Sequence, residues 1–181
     1  MNVMTIDCEF AQPSGKTIQI GSCVHNSKTG ELIDTFETYV DPGEPISEYI
    51  TNLTSITDDN VFLAPKILEA YLMLKDFHAK HKCAVHPIVW GSGVRNDSSH
   101  IYQESGSLQP NFMGYRVIDA KTIFQSLRLH EGRGLKGGLE TTCTKLGIGF
   151  EGRAHTALAD AINTFRVWHH LVKKFDLAKK V

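Results

Sequence analysis

The first forty residues contain three alternating segments separated by very short turn-forming stretches, and this spacing restricts the fold more than any other feature of the chain. The segments are "VMTIDCEF", "TIQIGSCVH" and "ELIDTFETYV"; "AQPSGK" and "NSKTG" join them. Strands joined by so few residues pair antiparallel, because a parallel return needs a crossover of a dozen residues or more. An antiparallel meander is expected. In its second strand Ile18, Ile20, Ser22 and Val24 share a face, and Gly21 marks a bulge or a point of close approach. In the third, Leu32, Phe36 and Val40 share a face.

After the meander the pattern changes. "DPGEPIS" ends the third strand, and "NLTSITDDN" reads as a loop. Pro65 opens a helix in which Ile67, Leu68, Tyr71, Leu74 and His78 recur at helical spacing. "AVHPIVWG" gives a short buried strand at 88–90, and "YRVID" gives another. A crossover helix between these two makes them parallel. Ile123, Phe124 and Leu127 point inward from the next helix. Leu135, Leu139, Cys143 and Leu146 imply a further one, with Gly147 at its C-cap and an internal Gly137–Gly138 pair that weakens it. The last helix carries one apolar stripe of Leu158, Ala161, Ile162, Phe165, Trp168 and Val172. The reading is one α/β domain over residues 1–181: a mixed five-stranded sheet, antiparallel meander plus two parallel strands, flanked by helices.

Composition limits the function classes. A 41% hydrophobic content in 181 residues supplies one sizeable core. The formal net charge of −1 gives no overall attraction to nucleic acid, so a polyanionic substrate needs local patches or bound cations. Cys8, Cys23, Cys83 and Cys143 are scattered with no C-x-x-C pair, which points to a reducing, cytoplasmic setting. "MNVMTIDCEF" does not read as a signal peptide, and no apolar run reaches membrane-spanning length. His78, His81, Cys83 and His86 are zinc-ligand types, but their spacing fits no zinc module, so they are read as structural.

Three short stretches carry chemistry. On the first strand Asp7 and Glu9 are two residues apart and face the same way, while Ile6 and Cys8 face the opposite layer. Two ionised carboxylates persist side by side when a hard divalent cation such as Mg²⁺ lies between them; otherwise they are two solvated surface acids. Asp97 follows a glycine-rich turn beyond a strand end, a position from which catalytic acids reach a crevice; it equally suits the N-cap of a helix through "SSHIYQE". His155 precedes the last helix and Asp160 lies in its first turns. A histidine on the entering loop reaches an aspartate one turn in, and Ala157, Ala159 and Ala161 allow close packing on the strand that carries Asp7. The plain alternative is a polar residue at a helix start and an acid favoured by the helix dipole.

Taken in order, "IDCEF", "GVRND" and "HTALAD" resemble the DnaQ-like 3′-to-5′ exonucleases of the DEDDh type, within the ribonuclease H-like superfamily. "NLTSIT" resembles the family's L-T-G-I-T segment with Ser55 at the glycine position, and the likeness runs along nearly the whole chain. Asn96 directly precedes Asp97 where the commonest second motif, H-N-x-x-F-D, has phenylalanine; "WGSGVRND" is closer to the G-N-S-x-x-x-D style of oligoribonucleases and to phage-type exonucleases, and Phe10 stands where many members have threonine. The resemblance implies a ribonuclease H-like three-layer fold and a two-metal phosphodiesterase. Asp7, Glu9, Asp97 and Asp160 would hold two Mg²⁺ or Mn²⁺ ions, and His155 would be the general base. It implies 3′ ends of single-stranded DNA or RNA as substrate and nucleoside 5′-monophosphates as product. Phe10, Cys8 and Leu53 would contact the terminal nucleotide. Arg133, Lys136 and Arg153 are candidates for phosphate contact, as is the basic "KKFDLAKK" end. No membrane is involved, and a homodimer stays open. Other readings are a non-catalytic nucleic-acid-binding module, an enzyme restricted to very short RNA, and a metal-dependent hydrolase of another substrate class.

Overall fold

The computed structural model describes residues 1–91 and 96–178, with side chains through Lys174. Three strands form the meander: β1 (Asn2–Phe10), β2 (Thr17–Asn26) and β3 (Leu32–Tyr39). Helices α1 (Glu48–Thr54), α2 (Asp58–Val61) and α3 (Ile67–Lys80) follow. Then come β4 (Ile88–Val89), α4 (Asp97–Ser105), β5 (Ile118–Asp119), α5 (Ala120–His130), α6 (Leu139–Leu146) and α7 (Ala157–Ala178). The sheet order is β3-β2-β1-β4-β5. The β1–β2 and β2–β3 pairs are antiparallel; β1–β4 and β4–β5 are parallel. This is the mixed five-stranded, helix-flanked sheet expected of a ribonuclease H-like fold.

Helices cover both faces of the sheet. On one side Met4, Ile6, Cys8, Ile20 and Val24 pack against Tyr71, Leu74, Phe77 and Ile101 of α3 and α4. On the other, Val3 and Ile88 meet Ala120 and Phe165. β2 is therefore buried along nearly its whole length, including its polar residues Gln19, Ser22 and His25. The His25 ring stacks on Phe165 at 3.7 Å.

Gly21 fixes where α7 starts. A methyl group at Gly21 would lie 2.1 Å from the Leu158 backbone nitrogen and 2.2 Å from the Ala157 carbonyl carbon. The first turn of α7 thus rests directly on β2, and Gly21 is a point of close approach. One strand over, Gly21 is paired with Asp7. The Ala157 N–H donates to Gln19 Oε1 (3.1 Å), so a buried side chain of β2 satisfies one of the open donors at the helix start.

Several expectations need correction. The segment expected as a loop at 52–60 contains the end of α1 and most of α2. Ser47 caps α1, accepting from the Ile50 N–H, and Thr57 and Asn60 form a capping box for α2. Gly137 and Gly138 are not inside a helix: Gly138 is the N-cap of α6, which leaves Leu135 outside it and partly exposed. The stripe on α7 is wider than expected, because Ala157, Val167 and Leu171 are also buried. Sheet and neighbouring helices contact different faces of α7, so one amphipathic stripe could not describe it. The His/Cys group holds no metal constellation among the described residues. His78 Nε2 lies 3.2 Å from the Ala84 carbonyl, His81 Nε2 lies 2.8 Å from Asp34, and Cys83 is buried. Among the described residues no helix is long and apolar enough to cross a membrane.

Candidate active site

β1 carries Asp7 and Glu9 on the face toward α7, opposite Gly21 and Gln19 of β2. The β1–β2 register shifts between Glu9 and Phe10, so regular pairing ends just past the second acid. The site lies at the carboxyl ends of the parallel strands β1 and β4, where α/β sheets open a crevice.

Asp97 is placed by its neighbour. Asn96 is the N-cap of α4; its side chain accepts from the Ser99 N–H (3.0 Å) and the Ser98 hydroxyl (2.7 Å). Asp97 is the first helical residue, not the cap expected as one reading, so its carboxylate is not committed to that cap. The rest of the "GVRND" motif, residues 93–95, lies outside the described residues.

His155 and Asp160 meet at the start of α7. One ligand atom each from Glu9, His155 and Asp160 lie within 4.8 Å of one another. His155 achieves this with a left-handed backbone, φ 61°, a conformation uncommon for a non-glycine residue. The segment leading to it is clamped from α7. Asn163, fully buried, accepts from the Glu151 N–H (3.0 Å) and donates to the carbonyls of Glu151 and Ala159 (2.8 Å each). Arg166 donates to the carbonyls of Ile148 (2.6 Å) and Gly149 (3.1 Å). Gln19, Asn163 and Arg166 were not singled out from the sequence, and Asn96 only as the neighbour of Asp97. The available signal for Asn163 and Arg166 was a polar pair, i and i+3, interrupting the apolar helix.

The four acids disturb one another. Burial pushes the Asp7 carboxyl well above its ordinary range, and the charges of Asp97, Asp160 and Glu9 push it further. Glu9 is pushed up to about 7 by burial, Asp160 and Asp97. Burial also raises Asp97 to about 7, and raises Asp160 to about 6 against the opposing charge of His155. None of the four forms an ion pair with a described lysine or arginine. Asp160 Oδ1 is buried without a hydrogen-bond partner. A hard cation fits this arrangement on chemical grounds: oxygen donors, mutual repulsion, and an orphaned carboxylate oxygen.

The other expected contacts are distributed unevenly. Phe10 is half-buried, meets the His100 ring edge-on at 4.7 Å, and lines a cleft of about 530 Å³ with Asp97 and His100. Cys8, 6% exposed, is in the core with Met4 and Ile6 and offers almost no surface to a substrate. Leu53 is half-buried in α1. Arg153 donates to the Ser55 hydroxyl. Ser55 itself has φ 66°, which explains why glycine suits that position. Arg133 pairs with Glu131 at 3.4 Å, and the Lys136 carbonyl accepts from Lys145 (2.8 Å). In the basic C-terminal run, side chains beyond Lys174 lie outside the described residues.

A family model for exonucleases, RNase_T, matches residues 4–168. The chain belongs to the RNase_T exonuclease family. Its similarity to known members is consistent with that assignment. It is 30% identical over 151 residues to a PolC-type DNA polymerase III of Staphylococcus aureus, covering 83% of this chain and 10% of the polymerase. The domain thus spans about a tenth of the polymerase relatives it matches. Its fold matches the nuclease domain of 3′hExo, a DEDDh family member bound to rAMP, with TM-score 0.78 and 21% identity over 96% of this chain and 92% of that one. It also matches Pop2p of S. pombe in a Mg²⁺- and Mn²⁺-bound form, with TM-score 0.71 and 17% identity over 96% and 84%. The exonuclease resemblance seen in the three motifs therefore holds at the level of family, and the fold is shared with a DEDDh member.

Proposed function

We propose that this exonuclease domain removes nucleotides one at a time from the 3′ end of single-stranded nucleic acid, releasing nucleoside 5′-monophosphates. The observation that carries the reading is the convergence of Glu9, His155 and Asp160 within 4.8 Å, with Asp97 close enough to raise the proton affinity of Asp7 and Glu9. Divalent Mg²⁺ or Mn²⁺, when bound by Asp7, Glu9, Asp97 and Asp160, would neutralise the acids and stabilise charge developing on the phosphate. The ions bound in Pop2p support that choice.

The chain's own groups then have separate tasks. His155, exposed at the mouth of the site, takes a proton from the attacking water on an imidazole nitrogen. The water oxygen bonds to phosphorus, the P–O3′ bond breaks, and the departing O3′ of the next nucleotide acquires a proton. Asn163 and Arg166 hold the segment that aims His155. Phe10 offers an aromatic edge to the terminal base or sugar, and Leu53 an apolar side, while the burial of Cys8 removes it from this group. The rAMP-bound 3′hExo domain and the PolC-type relative support nucleotide substrates without dividing RNA from DNA.

A gel of 3′-labelled and 5′-labelled oligonucleotides decides the matter. With Mg²⁺ the 3′ label should leave at once as mononucleotide, while the 5′-labelled strand shortens stepwise. EDTA or Asp7→Ala should stop both. Loss of the 5′ label first, or a shifted band that never shortens, would refute the proposal, the latter in favour of a binding module.

A further inference from the structure

A second crevice, of about 310 Å³, lies between the ends of α5, α6 and α7. Four cations line it: Arg128, Arg133, Lys145 and Lys174, against one acid, Glu131. Its floor is apolar and includes Phe124 and Leu171. In a chain of net charge −1 this local excess stands out, and it lies apart from the acidic site. Two of the cations are held in place, while Arg133 faces Glu131 at 3.4 Å. Arg128 Nε donates to the Gly134 carbonyl (2.7 Å), with its guanidinium 5.8 Å from the Phe124 ring centre. Lys145 Nζ donates to the Lys136 carbonyl (2.8 Å).

α6 and α7 connect this crevice to the acids. Leu139, Glu140 and Thr141, at the start of α6, line a crevice of about 270 Å³ with His155 and Asp160. Lys145 and Leu146, at its end, line the basic one. The separation is about 8 Å along α6 and about 16 Å along α7, from the 1.5 Å rise per residue. At about 3.4 Å per phosphate of a stacked strand, that is roughly two to five nucleotides.

We propose that this crevice is a substrate subsite, which takes a nucleotide of the same strand a few positions upstream of the bond being cut. Its base packs on the apolar floor and its flanking phosphates meet the cations. Single-strand binders commonly combine a cationic track with a platform for the bases. The inference rests on the proposed 3′-end reading and deepens it: the domain should favour strands long enough to reach both sites. It also supplies the local positive patch that a near-neutral chain needs for a polyanion.

The test uses the double variant Arg133→Glu/Lys174→Glu, with Arg133→Lys/Lys174→Arg as the charge-preserving control. Binding of a 5′-fluorescein-labelled oligothymidylate 12-mer is followed by anisotropy in EDTA across a salt series, independently of catalysis. The charge-reversed variant should bind at least about 10-fold more weakly, and its log–log salt slope should fall by about 1.4, from ~0.7 per lost phosphate contact. Hydrolysis of a dinucleotide should stay within about twofold of wild type, and the control should match wild type throughout. Unchanged affinity and slope would overturn the subsite, as would an equal loss on the dinucleotide. Wild-type protein that binds the 12-mer through these cations yet cuts nothing would instead overturn the 3′-exonuclease reading and leave the subsite standing.

Discussion

Asp160 offers the sharpest single-side-chain test, because its Oδ1 is buried and meets no donor. Asp160→Asn should raise the melting temperature of metal-free protein at pH 7.5, where the acids repel, and lower nuclease activity at least about 100-fold. The sign follows from linkage. Glu9 and Asp97 at about 7 and Asp160 at about 6 all lie above their ordinary values, and Asp7 is raised as well. The stability they contribute by holding protons is complete below the unfolded carboxylate range near pH 4. It is lost as pH rises through the folded values of about 6 to 7. Melting curves in EDTA should therefore shift downward across that window, and Mn²⁺ should restore stability most at its upper end. His25 acts in the opposite direction. Burial and the charge of His169 push it down to about 4, so its contribution disappears as pH falls from 6.5 towards 4. Ring-proton NMR should find its midpoint near 4, and His25→Phe, which preserves the stack on Phe165, should leave the acids' slope alone.

Among the elements, α7 organises the site, and two substitutions probe how. Gly21→Ala forces its first turn off β2, because the added carbon would sit about 2 Å from helix backbone. Activity should drop by about 100-fold or more through the displaced His155 and Asp160, with the loss mainly in kcat. Asn163→Ala strands the backbone groups of Glu151 that the amide now satisfies, at a cost of about 2–3 kcal/mol. That is a fall of roughly 5–10 °C in Tm at this size, read by calorimetry. The meander and the two parallel strands were legible because each follows from short-range pattern, and motif order pointed to the meeting of Glu9, His155 and Asp160. Asp7 and Glu9 converge by strand alternation alone, and Gly21 announced a close approach. The elements that escaped depend on contacts remote in sequence. α1 and α2 are short helices whose caps, Ser47 and Thr57, sit in a stretch rich in turn formers. Gln19 and Asn163 are polar residues whose partners lie 138 and 12 positions away, so nothing local revealed them. The alternative of Asp97 as the cap of α4 misses by one residue, because Asn96 and Asp97 are both good caps.

At the scale of the whole molecule, a near-neutral protein has divided its charge: acids at the carboxyl ends of β1 and β4, cations at the far ends of α6 and α7. On the proposed mechanism that division would make cations in solution part of the catalyst, because the acids pair with no described basic side chain and burial favours their protonated forms. Substrate preference should follow the same layout, with catalytic efficiency rising from dinucleotides to about six nucleotides and levelling off once both crevices are filled. A length series under single-turnover conditions measures this. The most direct test of the central claim is calorimetric titration of Mn²⁺ into wild-type protein and Asp160→Asn at pH 7.5, with a nucleoside 5′-monophosphate present. Saturable uptake of two ions by wild type, weakened at least about 10-fold in the variant, is the expected result. A wild-type protein that takes up no Mn²⁺, or a variant that binds it as wild type does, would contradict it.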